Sequence, residues 1–271
     1  MTFMENIDIL YLIQPLIVVL IAFVPLAYFW FKKRTFTSWV FLYSFLAFFI
    51  AIAVKVVFQL TTISLVESTN SLFVLGVFYG LQTALLEVGL AYVFASYGVK
   101  KSNIDIKNAA AYGTGLAFWE NGILLGLISL INILLVYVIL GSGTAIATTE
   151  YNALVSVEPS LFYPISQALP LVALGILERI TSIIGHFCWG YLCIAAAYYR
   201  KVIYLWIAMP LGFIIDFLVP FAGVLTLPVF EAVIFVIAVI YLIYVLMTAK
   251  TLARKNKLIK PPSNSSAINQ P

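Results

Sequence analysis

Seven long apolar segments follow one another along the 271-residue chain, and short polar connections separate them. Each segment is long enough to cross the roughly 30 Å hydrocarbon core of a bilayer as an α-helix. The pattern therefore predicts an all-α polytopic membrane protein, a bundle of about seven transmembrane helices. The predicted spans lie near residues 8–31, 37–60, 71–98, 109–140, 164–199, 202–225 and 228–249.

The basic residues lie on alternate connections. Of the 15 Lys and Arg residues, 13 follow the first, third, fifth or seventh span, and the other connections contain none. Because cytoplasmic loops are enriched in Lys and Arg, this asymmetry predicts an N-terminus outside the cell and a cytoplasmic C-terminus. The 13 residues are Lys32, Lys33, Arg34, Lys100, Lys101, Lys107, Arg200, Lys201, Lys250, Arg254, Lys255, Lys257 and Lys260.

The composition agrees with a membrane protein, since 63% of the residues are hydrophobic and only 10% are charged. No connection is long enough to form a soluble domain, so residues 1–260 are predicted to form a single transmembrane helical domain. Residues 261–271 (PPSNSSAINQP) are polar and rich in turn formers, which predicts a disordered cytoplasmic tail. The lipid bilayer of the plasma membrane is the expected partner. The net charge of +4 arises from the loops, so no nucleic-acid partner is expected.

Four ionisable residues interrupt four different spans: Glu87, Glu120, His186 and Asp216. Each lies about 11 to 15 residues from the predicted cytoplasmic end of its span, a shared depth of roughly 16 to 22 Å. Ionisable groups at that depth face the interior of a bundle and mark functional sites. Three carboxyl groups that are close together in a low dielectric cannot all stay ionised, so they share protons or bind a cation.

This residue set leaves the chemistry open. Carboxylates and an imidazole suit a divalent metal such as zinc, with a carboxylate that does not bind the metal as general base. They suit a proton or sodium relay equally well. Each residue also has a purely structural interpretation, in which the carboxyl groups are hydrogen-bonded across helices and the histidine is bonded to a backbone carbonyl.

A second group of charged residues, Lys55, Glu178 and Arg179, is predicted to lie nearer the outer face, roughly 27 to 32 Å from the cytoplasmic side. A Lys and an Arg beside a Glu predict an ion-paired outer layer. The alternative is a salt bridge whose only role is to hold the helices in register.

Two small-residue motifs predict close helix packing. Gly76 and Gly80 are four residues apart in one span, and Gly122 and Gly126 are four apart in the next. Such stripes allow two helices to approach closely. We expect both to act inside one bundle rather than as dimer interfaces.

The ionisable residues also stand in short motifs. Glu87 ends Leu-Leu-Glu, Glu120 follows a Tyr-Gly-Thr-Gly stretch in Trp-Glu, Arg179 ends Leu-Glu-Arg, and Asp216 lies in Gly-Phe-Ile-Ile-Asp-Phe. From about Gly76 to the end of the last span, this order resembles the YhfC family of intramembrane metalloproteases. That family is distantly related to the PrsW proteases and the type II CAAX prenyl proteases.

The resemblance implies a role for each matching residue. Glu87 matches the second Glu of the paired-Glu motif, and Glu120 matches the acidic residue of the next span, so both are predicted to be catalytic. His186 matches a position that is often His or Gln, and Asp216 matches the Asp of the late His-x-x-x-Asp motif. These two are predicted to bind the metal, for which zinc is the expected ion. Glu178 and Arg179 match the family's Glu-Arg pair.

The chain departs from the family pattern at several positions. Leu86 replaces the first Glu of the pair, Leu90 replaces an Arg, and Leu116 and Gly212 replace two histidines. These losses favour a degenerate protease-fold protein that binds a membrane protein or a lipidated peptide in a central carboxylate-lined cavity. Two alternatives stay open. One is an active intramembrane metalloprotease with a Glu/His/Asp site, and the other is a small proton- or cation-coupled transporter.

Overall fold

The structure is a computed structural model that describes residues 7, 8 and 10–259. In this part of the chain every regular element is helical, and seven helices are long and apolar enough to cross a membrane. The protein is therefore an integral multi-pass membrane protein. In chain order, with one short helix (α5) between two spans, the helices are α1 (Tyr11–Lys32), α2 (Ser38–Glu67), α3 (Leu72–Lys101), α4 (Ile106–Gly141), α5 (Ala145–Val157), α6 (Ser166–Tyr199), α7 (Ile203–Phe221) and α8 (Leu227–Arg254).

The predicted number of seven spans is confirmed, and two helices extend clearly beyond their predicted ends. Helix α8 continues to at least Arg254, whereas its predicted span ends at residue 249. Helix α2 continues to Glu67, whereas its predicted span ends at Leu60. The added turns begin with Thr61 and Thr62, whose hydroxyl groups donate hydrogen bonds to backbone carbonyls one turn earlier. Because these hydroxyls find acceptors inside the helix, two polar residues do not end it. The predicted tail, residues 261–271, lies outside the described residues.

Helices α4 and α6 cross at two facing glycines. A Cβ atom on Gly190 would lie 2.4 Å from Cα of Gly113, and a Cβ atom on Gly113 would lie 2.4 Å from the carbonyl oxygen of Phe187. The two backbones are therefore in direct contact. About two turns further along α4, this crossing places Glu120 beside the part of α6 that carries His186.

The two small-residue motifs pack inside the bundle, as expected. Gly76 and Gly80 of α3 lie against the backbone of α7 at Phe217 and Phe213. Gly126 of α4 lies against Val19 of α1. The first of these contacts brings the middle of α3 close to Asp216, which is the residue before Phe217.

The end of the bundle opposite the basic loops has a small hydrophobic cluster of its own. Helix α5 and the short turn Pro159–Phe162 lie over this cluster, and the hydroxyl of Tyr11 donates to the carbonyl of Ser160. We call this end of the bundle, where Glu150 and Glu158 lie, the acidic end. The buried members of its cluster are Ile7, Tyr11, Leu140, Ala168 and Val172.

Candidate functional site

A cavity of about 160 Å³ lies in the middle of the bundle, where α2, α3, α4, α6, α7 and α8 meet. We call it the central cavity. All four residues of the predicted deeper layer line it, although they come from four different helices: Glu87, Glu120, His186 and Asp216. The structure therefore brings these four residues together. Their individual roles stay predictions.

His186 is held in one orientation by its own helix. Its Nδ1 atom lies 3.0 Å from the backbone carbonyl oxygen of Ser182, one turn earlier. A carbonyl can only accept, so Nδ1 carries a hydrogen, and a neutral ring would have its lone pair on Nε2. The Trp189 ring packs against the imidazole at a centroid distance of 4.2 Å. Metal-binding histidines show the same arrangement, in which a backbone carbonyl fixes the tautomer.

The Nε2 atom of His186 faces two carboxylates. It lies 2.7 Å from Oε2 of Glu120 and 3.7 Å from Oε2 of Glu87. Nevertheless, it makes no hydrogen bond of acceptable direction to any described residue, because the near oxygen lies off the axis of an Nε2–H bond. One ligand atom from each of the three residues lies within 4.8 Å of the other two. The buried Nε2 atom is thus bordered by carboxylate oxygens of two residues.

Lys55 neutralises the other side of the cavity. Its ammonium nitrogen lies 2.6 Å from Oε1 of Glu87 and 2.9 Å from Oδ2 of Asp216. The hydroxyl of Thr83 lies 2.9 Å from the same nitrogen and donates to Asp216. Asp216 is therefore held by Lys55 and Thr83 and is not a member of the group around His186. Glu87 belongs to both groups, because its Oε1 atom faces Lys55 and its Oε2 atom faces His186.

The predicted separate outer layer is wrong for Lys55. Its ion-pair partners are Glu87 and Asp216, whereas Glu178 is paired with its neighbour Arg179. Counting residues along a helix locates only Cα, and the flexible lysine stem carries its charge about 6 Å further. Lys55 therefore belongs to the central cavity.

Arg179 and Glu178 stand between two cavities. They line the central cavity and also a larger one of about 390 Å³, which extends to Glu158 and Ser160 at the acidic end. Nη1 of Arg179 lies 3.9 Å from Oε1 of Glu120, so the guanidinium also approaches the cluster. The pair thus separates the central cavity from a space that opens towards the acidic end.

Two carboxylates of the site stand in π-helical segments. Glu87 lies in Thr83–Val88 of α3, and Glu120 lies in Phe118–Leu127 of α4. A π-helical segment adds a residue to the turn and so changes which side chains face a neighbouring helix, and such segments are common at functional sites. Asn121 follows Glu120 and is fully buried, and its amide donates to Ser182 of α6. In this π-helical segment two consecutive polar residues, Glu120 and Asn121, therefore both face α6.

Sequence reasoning missed several polar residues. Thr83 stands one turn before Glu87, and Ser182 stands one turn before His186, so helical spacing alone could have indicated both. Glu231 of α8 was also overlooked, although it is an acidic residue within the last apolar span. It is 2% exposed, and its Oε2 atom has no hydrogen-bond partner among the described residues.

The residues present fit a divalent metal. Bonds of about 2.0–2.2 Å in tetrahedral geometry separate two ligand atoms by roughly 3.4 Å, and three protein ligands leave one position open. The distances of 2.7 and 3.7 Å from Nε2 bracket that separation. With a neutral imidazole, Glu87, Glu120 and Asp216 contribute three negative charges and Lys55 one positive charge. The remaining charge of −2 is the charge that a divalent cation neutralises.

The comparison with protein families agrees with this donor set. A family model described as YhfC intramembrane metalloprotease matches residues 17–245. The chain belongs to the YhfC intramembrane metalloprotease family. Neither a curated protein nor a solved structure was found to match it. The match therefore extends over most of the helical bundle and is not confined to the short motifs.

Both positions at which the resemblance to the family implies a histidine are closely packed in this chain. Leu116 is 2% exposed and belongs to the main hydrophobic core. At Gly212 a Cβ atom would lie 2.9 Å from Val88 and 3.2 Å from Thr83. Helices α3 and α7 therefore approach each other through the space that a side chain at position 212 would need.

Proposed function

We propose that the protein is a metal-dependent intramembrane peptidase with a rearranged site, in which Glu87, Glu120 and His186 hold a divalent metal ion. The observation that supports the proposal most directly is the buried Nε2 atom of His186. It has the tautomer of a ligand, no hydrogen bond, and two carboxylates within 4 Å. Zinc is the ion that this set of three ligands with one open position suits best.

A zinc ion held there would supply a Lewis acid and an ionised water molecule. Asp216 is the carboxylate of the central cavity that stands outside the ligand group, and its Oδ2 is held by Lys55 and Thr83. It accepts the proton that the attacking water loses and passes it to the leaving amine. Arg179 lies close enough to the cluster to stabilise negative charge on the substrate carbonyl.

The walls of the central cavity indicate the class of substrate. Apart from the charged cluster, they consist largely of apolar side chains, including Ile52, Ile215 and Phe230. Such walls suit the apolar segment of a membrane protein or of a lipidated peptide. With the orientation predicted from the basic loops, the acidic end faces the outside of the plasma membrane. Water then reaches the site past Glu178 and Arg179.

The test is the metal content of the purified protein, measured by mass spectrometry after equilibration with zinc. We expect about one zinc per chain, and its loss in Glu120→Gln and His186→Ala. Glu67→Gln is the matched control, because it removes an exposed carboxylate at the end of α2 and should leave the zinc content unchanged. A protein that folds but binds no zinc would refute the proposal.

A second candidate function is a protein that binds a membrane peptide in the same cavity without cutting it. The packing at Gly212 favours it, because a side chain there would collide with Val88 and Thr83, and a buried leucine, Leu116, stands at the second position where the resemblance implies a histidine. Hydrolysis of a membrane peptide by the zinc-loaded protein, abolished in Asp216→Asn, would favour the peptidase. Binding of the peptide without cleavage, at full zinc occupancy or without zinc, would favour the second candidate.

A further inference from the structure

Ser182 of α6 contacts two of the three proposed metal ligands. Its backbone carbonyl oxygen lies 3.0 Å from Nδ1 of His186, and its hydroxyl oxygen lies 3.5 Å from Oε2 of Glu120. That carboxylate oxygen is the one that lies 2.7 Å from Nε2 of His186. One residue of α6 thus touches both of these side chains, although they belong to different helices.

The direction of the hydrogen bonds at the Ser182 hydroxyl follows from the groups around it. Nδ1 of His186 lies 3.4 Å away and already carries a hydrogen, so it cannot accept another. The amide nitrogen of Asn121 lies 3.1 Å away and can only donate. Of these three partners in the described part of the chain, only the Glu120 carboxylate can accept the hydroxyl hydrogen.

Asn121 restricts the rotation of that hydroxyl. Its side chain is fully buried, and its amide nitrogen also donates to the carbonyl of Ala117, one turn earlier on α4, at 3.2 Å. Because a carbonyl can only accept, this second contact identifies which side-chain atom of Asn121 is the nitrogen. Asn121 therefore presents an N–H group to Ser182, and the hydrogen of the serine is directed away from it, towards Glu120.

Packing alone does not explain an asparagine at position 121. The Oδ1 atom of Asn121 has no hydrogen-bond partner among the described residues, and a buried acceptor without a partner lowers the stability of the folded protein. An apolar side chain would avoid that loss. The amide is better explained by the hydroxyl that it orients than by its own contribution to folding.

We propose that Ser182 and Asn121 are positioning residues, which hold Glu120 in the orientation in which it binds the metal ion and thereby raise the affinity for that ion. The proposal rests on the proposed metal site and deepens it. Replacing a residue that hydrogen-bonds to a metal ligand lowers metal affinity about 10- to 100-fold. Because 3.5 Å is long for a hydrogen bond between two oxygen atoms, we expect an effect near the lower limit.

The test measures the dissociation constant for zinc of the purified protein in detergent, by competition with a chromophoric chelator. Ser182→Ala should raise it about tenfold, whereas Ser182→Thr keeps the hydroxyl and should retain most of the affinity. The matched control is Ser44→Ala. The Ser44 hydroxyl also accepts from a side chain, Trp119, and donates to a carbonyl, that of Phe41, but it does not line the central cavity. This control should lower the unfolding temperature and leave the dissociation constant unchanged.

A spectrum separates the orientation of the ligand from the stability of the protein. The visible absorption of Co²⁺ bound in place of zinc depends on the geometry of its ligands, so it should change in Ser182→Ala and not in Ser44→Ala. Asn121→Ala is the second variant. It keeps the Ser182 hydroxyl but leaves it able to bond within its own helix, and it should likewise weaken zinc binding and change the spectrum.

The possible outcomes are distinct. If Ser182→Ala does not fold, as judged by thermal unfolding, Asn121→Ala decides the question. An unchanged dissociation constant and an unchanged Co²⁺ spectrum in the folded variant would overturn the proposal while leaving the proposed metal site intact. An equal loss of affinity in Ser44→Ala would also overturn it. A natural protein that folds but binds neither ion would refute the proposed function itself.

Discussion

At the scale of single residues, Lys55 determines the character of the site. Without it, Glu87 and Asp216 would be two carboxylates close together with only the hydroxyl of Thr83 between them. The ammonium group lies within 3 Å of both and offsets the repulsion between them. It also confines Oε1 of Glu87, so that the other oxygen of that carboxylate faces His186.

Replacing this lysine should therefore destabilise the protein. In Lys55→Met the two carboxylates lose their partner but stay buried, which should lower the free energy of unfolding by about 3 kcal/mol. The double variant Lys55→Met/Asp216→Asn removes one of the uncompensated charges and should recover most of that loss. Thermal unfolding in detergent measures both. A double variant no more stable than the single one would contradict the pairing.

At the scale of the elements, the site depends on how closely the helices approach. The crossing of α4 and α6 at Gly113 and Gly190 determines that Glu120 meets His186. Neither glycine lines the central cavity. Their influence on the site is therefore purely geometric.

This dependence can be tested with one methyl group. Gly113→Ala places a Cβ atom only 2.4 Å from the Phe187 carbonyl oxygen, so the two helices must separate. Although Ala favours a helix over Gly by about 1 kcal/mol, we expect a lower unfolding temperature and a loss of bound zinc.

The control for this variant is Gly223→Ala, where a Cβ atom would meet nothing within 4 Å. It should leave the unfolding temperature and the zinc content unchanged. Full zinc content in Gly113→Ala would show that the contact between Glu120 and His186 does not depend on the glycine crossing.

At the scale of the whole molecule, the remaining prediction concerns orientation. A cysteine introduced as Ser142→Cys, between α4 and α5, should react with a membrane-impermeant maleimide on intact cells. Lys33→Cys, after α1, should react only once the cells are permeabilised, because the basic loops are predicted to be cytoplasmic. The natural protein serves as the control, since Cys188 and Cys193 are buried. The reverse labelling pattern would show that the protein has the opposite orientation in the membrane.

Much of the fold could be predicted because membrane insertion depends on local properties. An apolar span has to satisfy its own backbone hydrogen bonds, so the length and hydropathy of each segment determine where a helix forms. The end of α2 was missed because Thr61 and Thr62 are polar by type but find acceptors inside the helix. A hydropathy average does not contain that information.

The site was predictable only in part. Depth along each span brought Glu87, Glu120, His186 and Asp216 into one layer, and the structure places all four around one cavity. Depth could not indicate how each helix is rotated or how far a side chain extends. For that reason Lys55 was placed in the wrong layer, and the grouping of Asp216 with Lys55 and Thr83 was not foreseen.

The sequence by itself therefore determined the membrane class, the number of membrane-spanning helices, the family and the set of ionisable residues available for chemistry. These follow from hydropathy and short motifs, which act along one segment at a time. Only the tertiary structure decided which carboxylates face His186, which oppose Lys55, and that the space beside Gly212 is filled. Those choices depend on helix rotation, π-helical winding and glycine contacts between α3, α4, α6 and α7, and they involve residues far apart in the chain.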